Sequence, residues 1–437
     1  MEKFVIDGGV PLCGSVHPAG NKNGALPILA ASVLSSEEVV VRNVPRIRDV
    51  EAMLGVLRGL GVAVEWRDDN EVALCAAGID PDARIDREHA ERIRASFLLA
   101  GPLLARFGQV TMPPPGGDVI GRRRLDPHLD AFRALGATVE LNGEIILIAP
   151  GGLRAGDVFM DEPSVMATEN ALMAAALTPG TTVVGNAACE PHVQDLARML
   201  AKMGADIRGI GSNVLTIVGR DELGGCAHDI GPDHIEIGSF MALAGVTGGE
   251  LRIHDTEPGD LRMIRLVLKR LGLHTELDAA DVVVPGGQKL VVEHDAGDYT
   301  CKIQDGPWPA FPADLTSIAV ALATQSEGQV LIHEWMFENR LVFTDKLVEM
   351  GANIIVCDPH RAIVHGPRRL RGTRVESPDI RAGMAMLIAA LCTCERSEIG
   401  NIRQIDRGYE RIDERLRLLG AQIERVAADP QPQPVHA

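Results

Sequence analysis

The feature that most constrains the fold is an internal repeat. An amphipathic stretch, a Leu or Met, a glycine and a short apolar run recur six times in 437 residues. The repeated glycines are separated by 75, 68, 68, 79 and 69 residues. Such a period is typical of architectures built from one repeated supersecondary unit. Each glycine stands where a helix C-cap is expected, since glycine adopts the left-handed conformation without strain. They are Gly61, Gly136, Gly204, Gly272, Gly351 and Gly420.

Each copy also has an earlier half, in which an almost wholly apolar stretch precedes a short β run. ENALMAAAL followed by TTVVGN is one example. After the repeated glycine comes a hairpin, and the tight-turn pair Asn142-Gly143 marks one of them. The unit therefore reads βαβαββ. A helix that is apolar all round is buried, so we expect sheets outside and helices inside, the reverse of the usual α/β plan.

The ends of the chain indicate how the repeats close into domains. The sixth copy ends at AQIERV without its second hairpin strand, and the N-terminal FVIDGGVPLCGSV matches the missing part. We therefore expect the first 20 residues to close the last repeat. Three repeats per domain gives one domain at 21–231 and a second at 1–20 plus 232–426. The polar, Pro-rich tail 427–437 is predicted to be disordered.

Composition excludes several classes of function. The formal net charge of −17 argues against general nucleic-acid binding and against an anionic membrane surface. No apolar run approaches the roughly 18 residues of a membrane span, and MEKFVIDGG lacks a signal-peptide core, so we expect a cytoplasmic protein. The eight cysteines form no CxxC pair, so no metal site is predicted.

Polar and charged residues collect where the apolar helices are predicted to begin. Helix N-termini carry unpaired N–H groups and a positive potential, which suit phosphate or carboxylate ligands. Ordinary helix capping is the alternative explanation. The residues are Lys22, Asn23, Arg94, Glu169, Asn170, Glu236, Asp314, Asp379 and Arg381.

Seven stretches carry a resemblance to a known family, and together they span nearly the whole chain: GNKNGALPILAASVL, IRASFLLAGPLLARFG, PGGDVIGRRRLDPHL, MDEPSVMATEN, AFPADL, FENR and IDRGYERIDERLRLLGA. Through them the chain resembles the enolpyruvyl transferase superfamily, and within it the family of UDP-N-acetylglucosamine 1-carboxyvinyltransferases. The resemblance implies two inside-out α/β domains, each of three βαβαββ units.

The resemblance also implies a reaction. The family transfers the enolpyruvyl group of phosphoenolpyruvate to the 3′-hydroxyl of UDP-N-acetylglucosamine and releases phosphate, in the first committed step of peptidoglycan synthesis. Neither a cofactor nor a metal is implied. The expected partners are phosphoenolpyruvate and a UDP-sugar or other nucleotide acceptor. The oligomeric state stays open, and a monomer is compatible with the resemblance.

By position, the resemblance assigns site residues. Lys22, Arg123 and Arg407 correspond to the cationic clamp on phosphoenolpyruvate, with Arg340 and Arg381 in support; Lys and Arg are the usual ligands of such oxyanions. Asp314 corresponds to the carboxylate beside the sugar hydroxyl and is the candidate base. The remaining substrate contacts correspond to Asn23, Arg94, Arg124, Leu125, Asp126, Pro127, His128, Ser164, Val165, Met336 and Asp379.

The loop that carries the PGG motif, 115–124, departs from many family members, because Asp118 stands where they have Cys. The family assigns this side chain the role of proton donor. A carboxyl group can donate a proton if burial or a like charge raises its pKa. We therefore expect Asp118 to act as general acid. We also expect insensitivity to fosfomycin, which alkylates the thiolate at this place.

The predicted diphosphate loop departs as well. Met166 follows Ser164 and Val165 where glycine is usual, and Glu162 stands where some members have Lys. Another nucleotide acceptor therefore remains open, whereas shikimate 3-phosphate fits the motifs less well. A non-catalytic ligand-binding paralogue is a further alternative, although retention of the charged site residues argues against it.

Overall fold

The computed structural model describes residues 2–81, 85–117 and 120–427. Within these ranges the strands are β1 Glu2–Asp7, β2 Gly14–Val16, β3 Glu38–Arg42, β4 Ala63–Asp68, β5 Glu71–Cys75, β6 Gln109–Met112, β7 Thr138–Leu141, β8 Ile145–Ile148, β9 Asp157–Phe159, β10 Gly180–Gly185, β11 Asp206–Arg208, β12 Val214–Gly219, β13 Cys226–Asp229, β14 Leu251–Ile253, β15 Glu276–Asp278, β16 Asp281–Val284, β17 Cys301–Gln304, β18 Gly328–His333, β19 Asn353–Asp358, β20 Arg361–Gly366, β21 Arg374–Glu376, β22 Arg396–Gly400 and β23 Gln422–Ala427.

The helices alternate with these strands. They are α1 Lys22–Ala31, α2 Arg48–Gly59, α3 Arg87–Arg92, α4 Ala100–Phe107, α5 Asp126–Ala134, α6 Val165–Ala176, α7 Pro191–Lys202, α8 His234–Thr247, α9 Arg262–Arg270, α10 Thr316–Ala323, α11 Thr344–Glu349, α12 Ile380–Cys392 and α13 Ile412–Leu418. Short 3₁₀ turns lie at Ser32–Leu34, Arg94–Leu99, Ala313–Leu315 and Ile405–Arg407. None of the helices in the described ranges has both the length and the apolarity that crossing a membrane requires.

The predicted repeat is confirmed, and one copy shows its plan. The chain runs β17, α10, β18, α11, β19, β20, and its sheet has the order β17-β18-β20-β19. β17 and β18 are parallel, and the β19–β20 hairpin pairs antiparallel with β18. The other sheets among the described residues have the orders β21-β22-β1-β23, β11-β12-β10-β9, β13-β3-β5-β4, β15-β16-β14-β2 and β6-β8-β7.

The first helix of each repeat is buried, as its composition predicts. α8 is buried on every side over residues 234–245, and α12 over 380–391. Burying a large aliphatic side chain contributes roughly 1.5–3 kcal/mol relative to leaving it exposed, so these helices supply much of each core. The second helices are amphipathic: α9 buries Ile264, Val267 and Leu268 and exposes Arg262 and Lys269.

The N-terminal segment serves two repeats rather than one. β1 pairs antiparallel with both β22 and β23, so it supplies the missing hairpin strand and confirms that part of the prediction. β2, however, pairs parallel with β14, in a different sheet. The expectation that all of residues 1–20 close the last repeat is therefore wrong for β2. Each βαβαββ unit begins with a strand that comes before its buried helix. For the unit that contains α8 this first strand is β2, which comes from the N-terminal segment.

The described residues fall into two compact units, each with its own hydrophobic core. The first unit comprises Met1–Pro18, His234–Gly306 and Ala310–Ala437, and the second Ala19–Asp233 and Pro307–Pro309. The short insertion of 307–309 into the second unit has no counterpart in the sequence prediction. Ala427, predicted to open the tail, is instead the last residue of β23, and residues 428–437 lie outside the described part of the chain.

Candidate active site

In the first unit, Asp314 lies between two buried arginines. Arg340 Nη2 donates to Asp314 Oδ1 at 2.7 Å, and Arg381 Nε donates to Oδ2 at 3.1 Å. The two arginine side chains are 5% and 4% exposed, whereas Asp314 is 29% exposed. The carboxylate is therefore the part of this cluster that a ligand can reach.

Local structure explains why the two arginines are held in place. Arg381 is the second residue of α12, whose N-cap Asp379 accepts hydrogen bonds from Arg381 N and Ala382 N. Burial alone would lower the pKa of Arg340, but three surrounding carboxylates outweigh it, so the pKa is raised. Asp379 thus orders the start of α12 and adds negative charge near Arg340.

Arg407 belongs to a turn that packs on the start of α12. A Cβ on Gly408 would lie 2.4 Å from Ile380 Cγ2, so only glycine permits this approach. The Arg381 guanidinium lies over the Tyr409 ring, 5.4 Å from its centroid. Arg407 Nη1 donates to Gln404 Oε1 at 2.9 Å. These contacts bring Arg407 to the same end of α12 as Arg381.

Met336 lies in the turn between β18 and Arg340. The backbone N–H groups on either side of it, of Trp335 and Phe337, donate to the carboxylates of Asp305 and Glu334. Both carboxyl groups are buried. The sequence analysis singled out neither acid, although each directly follows a strand, at a position where site residues often lie.

His234 is a further residue that the sequence analysis missed. It is the first residue of α8 and is buried. Burial and then the positive charge of Arg381 lower its pKa to about 4, while Asp314 acts in the opposite direction. A neutral imidazole therefore adjoins the cluster of Asp314 and Arg381 at neutral pH.

In the second unit, Lys22 is the first residue of α1. The side chain of the N-cap Asn21 accepts from Gly24 N, which satisfies one N–H at the helix start. Lys22 Nζ lies 2.9 Å from Asp49 Oδ2, and both side chains are less than 10% exposed. Asn23, the next residue, is half-buried. The Asp49 carboxylate thus fixes the Lys22 ammonium within the protein.

The Arg94 guanidinium is hydrogen-bonded to the backbone of residues 123 and 124. Its Nη2 donates to the carbonyl oxygens of Arg123 at 2.7 Å and Arg124 at 3.2 Å. Burial, and then the positive charge of Arg123, lower the pKa of Arg94 to about 10. The predicted contacts Arg94 and Arg123 are therefore brought together, and each disfavours the charge of the other.

The PGG motif lies directly against these arginines. A Cβ on Gly117, where φ is +110°, would meet Arg123 Nη2 at 2.8 Å and Arg94 Cβ at 2.9 Å. A Cβ on Gly116 would lie 1.7 Å from the Glu91 carbonyl oxygen. Both positions therefore require glycine. Asp118, the predicted general acid, lies outside the described residues.

Arg124 is compensated by acidic side chains. Its Nη1 lies 2.7 Å from Asp161 Oδ2 and 3.5 Å from Glu162 Oε2, and its Nε lies 3.4 Å from Asp126 Oδ2. These charges raise its pKa. Leu125 is the N-cap of α5, which opens with Asp126 and Pro127. In the described structure this arginine is held by three carboxylates.

His128 is placed in the core. Asn170 Oδ1 accepts from Gly101 N at 2.8 Å, so its Nδ2 is a donor to Phe97 O at 3.0 Å and to His128 Nδ1 at 2.9 Å. His128 Nδ1 must then be an acceptor, and the ring is neutral. Burial and the charge of Arg94 lower its pKa to about 3. Asn170, predicted to stand at a helix start, is instead the sixth residue of α6, where it joins neighbouring helices.

The predicted diphosphate loop leads into α6. Ser164 is the N-cap, its N–H donates to the Glu162 carbonyl oxygen at 2.7 Å, and its side chain makes no capping bond. Val165 and Met166 are half-buried and pack against the hydrophobic core. The Met166 side chain is thus accommodated in part by the core.

Two further acids of this unit escaped the sequence analysis as a pair. Glu169 is 1% exposed, and burial and then the charge of Glu190 raise its pKa well above the ordinary value. Glu190 Oε1 accepts from Trp308 N at 3.4 Å, and burial raises its pKa. Only the tertiary structure brings these residues near each other.

The sequence and the fold match known proteins over nearly their full length. The family model EPSP synthase (3-phosphoshikimate 1-carboxyvinyltransferase) matches residues 6–416. The chain belongs to this family of carboxyvinyl transferases. The predicted enolpyruvyl transferase resemblance and its two-unit α/β fold are thereby confirmed.

Among curated relatives, the chain is 53% identical to the UDP-N-acetylglucosamine 1-carboxyvinyltransferase of Bradyrhizobium diazoefficiens, over 97% of this chain and 98% of that one. It is 48% identical to the enzyme of the same name from Borreliella burgdorferi, over 98% and 99%. Among solved structures, the enolpyruvyl transferase NikO from Streptomyces tendae superposes with a TM-score of 0.86 at 25% identity, covering 98% of this chain and 99% of that one. EPSP synthase from Acinetobacter baumannii gives a TM-score of 0.75 at 20% identity, covering 98% and 100%, and so shares the fold.

Proposed function

We propose that the chain transfers the enolpyruvyl group of phosphoenolpyruvate to the 3′-hydroxyl of UDP-N-acetylglucosamine and releases phosphate. The observation that carries this is the 53% identity, over 97% of the chain, to an enzyme named for that activity. The reaction is the first committed step of peptidoglycan synthesis. We place it in the cytoplasm.

The chemistry requires a base for the sugar hydroxyl, and Asp314 is the proposed group. A base must begin in its ionised form, and Arg340 and Arg381 stabilise the Asp314 carboxylate from two sides. The same carboxylate is partly exposed, so a hydroxyl group can reach it. Arg340, Arg381 and Asp379 then position the base.

Anion binding is the second requirement. Lys22, Arg123 and Arg407 are the proposed ligands of the phosphate and carboxylate of phosphoenolpyruvate, since cationic side chains bind such oxyanions best. Arg94 and Arg124 are the proposed cations for the acceptor diphosphate. Backbone and side-chain contacts to the acceptor are proposed at Asn23, Leu125, Asp126, Pro127, His128, Ser164, Val165 and Met336.

Asp118 is the proposed general acid that protonates the methylene carbon of the enol. Asp118→Ala is expected to lower kcat by roughly 10²–10⁴, the usual contribution of a positioned acid. The wild-type enzyme is expected to resist fosfomycin, whereas Asp118→Cys becomes sensitive because a thiolate is alkylated readily. Rapid covalent labelling of Asp118 by fosfomycin would contradict this assignment.

Phosphate release tests the proposed function directly. Purified protein is given phosphoenolpyruvate with UDP-N-acetylglucosamine, UMP or shikimate 3-phosphate in parallel arms, and Asp314→Asn is the inactive control. Release with UDP-N-acetylglucosamine, lost in Asp314→Asn, supports the proposal. Release only with another acceptor reassigns the substrate, and no release in any arm favours a non-catalytic ligand-binding paralogue.

A further inference from the structure

Two buried acids lie side by side, and one of them interacts with Arg340, which binds the candidate base. In the parallel pair of β17 and β18, Gln304 is opposite His333. The residue that follows each strand is acidic, and Asp305 N donates to the His333 carbonyl oxygen at 3.3 Å, so Asp305 lies beside Glu334. Asp305 is 3% exposed and Glu334 is fully buried. Two carboxylates at such a place repel each other and have lost most of their hydration.

One oxygen of each acid holds the turn that follows β18. Asp305 Oδ1 accepts from Trp335 N, and Glu334 Oε1 accepts from Phe337 N at 3.2 Å. Met336 lies between these two anchored amides. Arg340 N in turn donates to the Phe337 carbonyl oxygen at 3.4 Å. The two acids therefore fix the backbone that presents Met336 and leads to Arg340.

The second oxygen of each acid is not used in holding this turn, although the Thr316 hydroxyl and Arg340 also act on Glu334. Among the described residues, Asp305 Oδ2 and Glu334 Oε2 are buried without a hydrogen-bond partner. As carboxylates, neither can offer a proton to the other. A single added proton would create a carboxylic acid–carboxylate hydrogen bond and satisfy both oxygens. Burial, and then the charge of Asp305, raise the pKa of Glu334 to about 8.

The groups around the pair come from several elements. Arg340 opposes the raised pKa of Glu334 from the following loop, as does the Thr316 hydroxyl from the start of α10. From the turn between β19 and β20, His360 Nδ1 lies 2.7 Å from the Glu334 carbonyl oxygen. Asp314, bound to Arg340, and Asp379 also place negative charge around that guanidinium. Because Arg340 is ion-paired with Asp314, its positive charge lowers the pKa of Glu334 less than it would without that partner.

We propose that Asp305 and Glu334 share one proton, and that this proton locks Met336 and Arg340 in the conformation that serves the acceptor and the base. Both acids are positioning residues, since they act through Met336 and Arg340. When the shared proton leaves, the two carboxylates repel and the turn loosens. The inference rests on the proposed function for its effect on catalysis, but not for the existence of the proton.

Glu334→Gln tests the proposal because a glutamine reproduces the protonated state at every pH. Its Oε1 can still accept from Phe337 N, and its Nε2 can donate to Asp305 Oδ2. We expect kcat/KM for UDP-N-acetylglucosamine in the wild type to fall as pH rises through about 8, by up to tenfold per unit. In Glu334→Gln this alkaline fall is absent or moved to higher pH, and most of the effect lies in KM.

The matched control is Glu349→Gln on α11, an exposed site that pairs with Lys346. It is expected to keep the wild-type pH profile. Asp305→Asn is the second variant, since its Oδ1 can accept from Trp335 N while its Nδ2 donates to Glu334. If Glu334→Gln does not fold, Asp305→Asn alone must lose the alkaline fall. A wild-type profile in a folded Asp305→Asn or Glu334→Gln overturns the positioning role.

Infrared difference spectroscopy provides a readout that does not need activity. The wild type should lose the C=O stretch of a protonated carboxyl as pH rises through about 8, and Glu334→Gln should lack this change. Persistence of the same change in both Glu334→Gln and Asp305→Asn overturns the shared proton. If the band behaves as expected but no acceptor supports phosphate release, the shared proton stands, whereas the proposed function and the positioning role fail.

Discussion

Asp314 in the first unit and Arg94 in the second have opposite electrostatic surroundings. In the first unit, the Asp314 carboxylate is bound by Arg340 and Arg381, so the cluster is compensated before any ligand arrives. In the second unit, Arg94 is half-buried, bonded to backbone carbonyl oxygens and faced by the like charge of Arg123. Burial and the charge of Arg123 lower the pKa of Arg94 to about 10, so this environment disfavours the positive charge of Arg94.

This difference indicates a division of labour. A preassembled carboxylate suits proton transfer, since the base is oriented before the substrate binds. The partly buried Arg94, with the like charge of Arg123 near it, is suited to anions, because a bound phosphate relieves both the desolvation and the like-charge repulsion. We therefore expect variants of Asp314 to act on kcat, and variants of Arg94 and Arg123 to act on ligand affinity.

The largest expected effect comes from removing the negative charge of Asp314. Asp314→Asn removes the proposed base and leaves Arg340 and Arg381 without their shared carboxylate. We expect kcat to fall by roughly 10²–10⁴. The measurement is phosphate release at saturating substrates, and Asp345→Asn, an exposed site on α11, is the control that keeps wild-type kcat. If Asp314→Asn mainly raised KM, the division of labour would be wrong.

The next effect concerns stability in the second unit. Asn170→Ala removes hydrogen bonds to Gly101, Phe97 and His128 from a fully buried position. We expect the free energy of unfolding to fall by about 2–4 kcal/mol, because buried partners are left unsatisfied. Chemical denaturation measures this loss.

The control for this change is Asn142→Ala, in an exposed turn, which should lose about 1 kcal/mol or less. Equal losses for the two variants would mean that Asn170 does not brace the helices beside Arg94. Retained stability in Asn170→Ala would show that the neutral His128 needs no such support.

Arg94→Met tests the proposed anion site at Arg94 and Arg123. We expect kcat/KM for UDP-N-acetylglucosamine to fall by about 10–100-fold, since charged hydrogen bonds contribute roughly 1.5–3 kcal/mol. Inorganic phosphate should also raise the unfolding temperature of the wild type more than that of the variant. Arg208→Met, at an exposed ion pair in the same unit, should behave as wild type. An unchanged phosphate effect in Arg94→Met would remove Arg94 from the anion site.

The smallest expected effect comes from the acidic side chains that hold Arg124. Glu162→Lys removes one of its partners and adds a cation. Because exposed charge pairs contribute about 0.2–1 kcal/mol, we expect KM for the acceptor to fall by about two- to fivefold at low salt. The gain should shrink as salt is added. A gain of the same size for Glu222→Lys, away from this loop, would indicate a general charge effect.

Much of the fold was predictable because its signals are local. The repeat spacing, the wholly apolar helices and hairpin turns such as Asn142-Gly143 are properties of short stretches, and the structure confirms the βαβαββ plan. The charged residues of the proposed site could also be named from the sequence, because the family resemblance pointed to Asp314 and its two arginines.

Only the tertiary structure decided which distant residues meet. The pairing of β2 with β14, the contact of Asn170 with His128 and the adjacency of Asp305 and Glu334 all join segments far apart in the chain. Such contacts depend on strand register and helix packing, which a local pattern does not encode. The sequence by itself determined the elements and their chemistry, whereas the packing determined which charged groups meet.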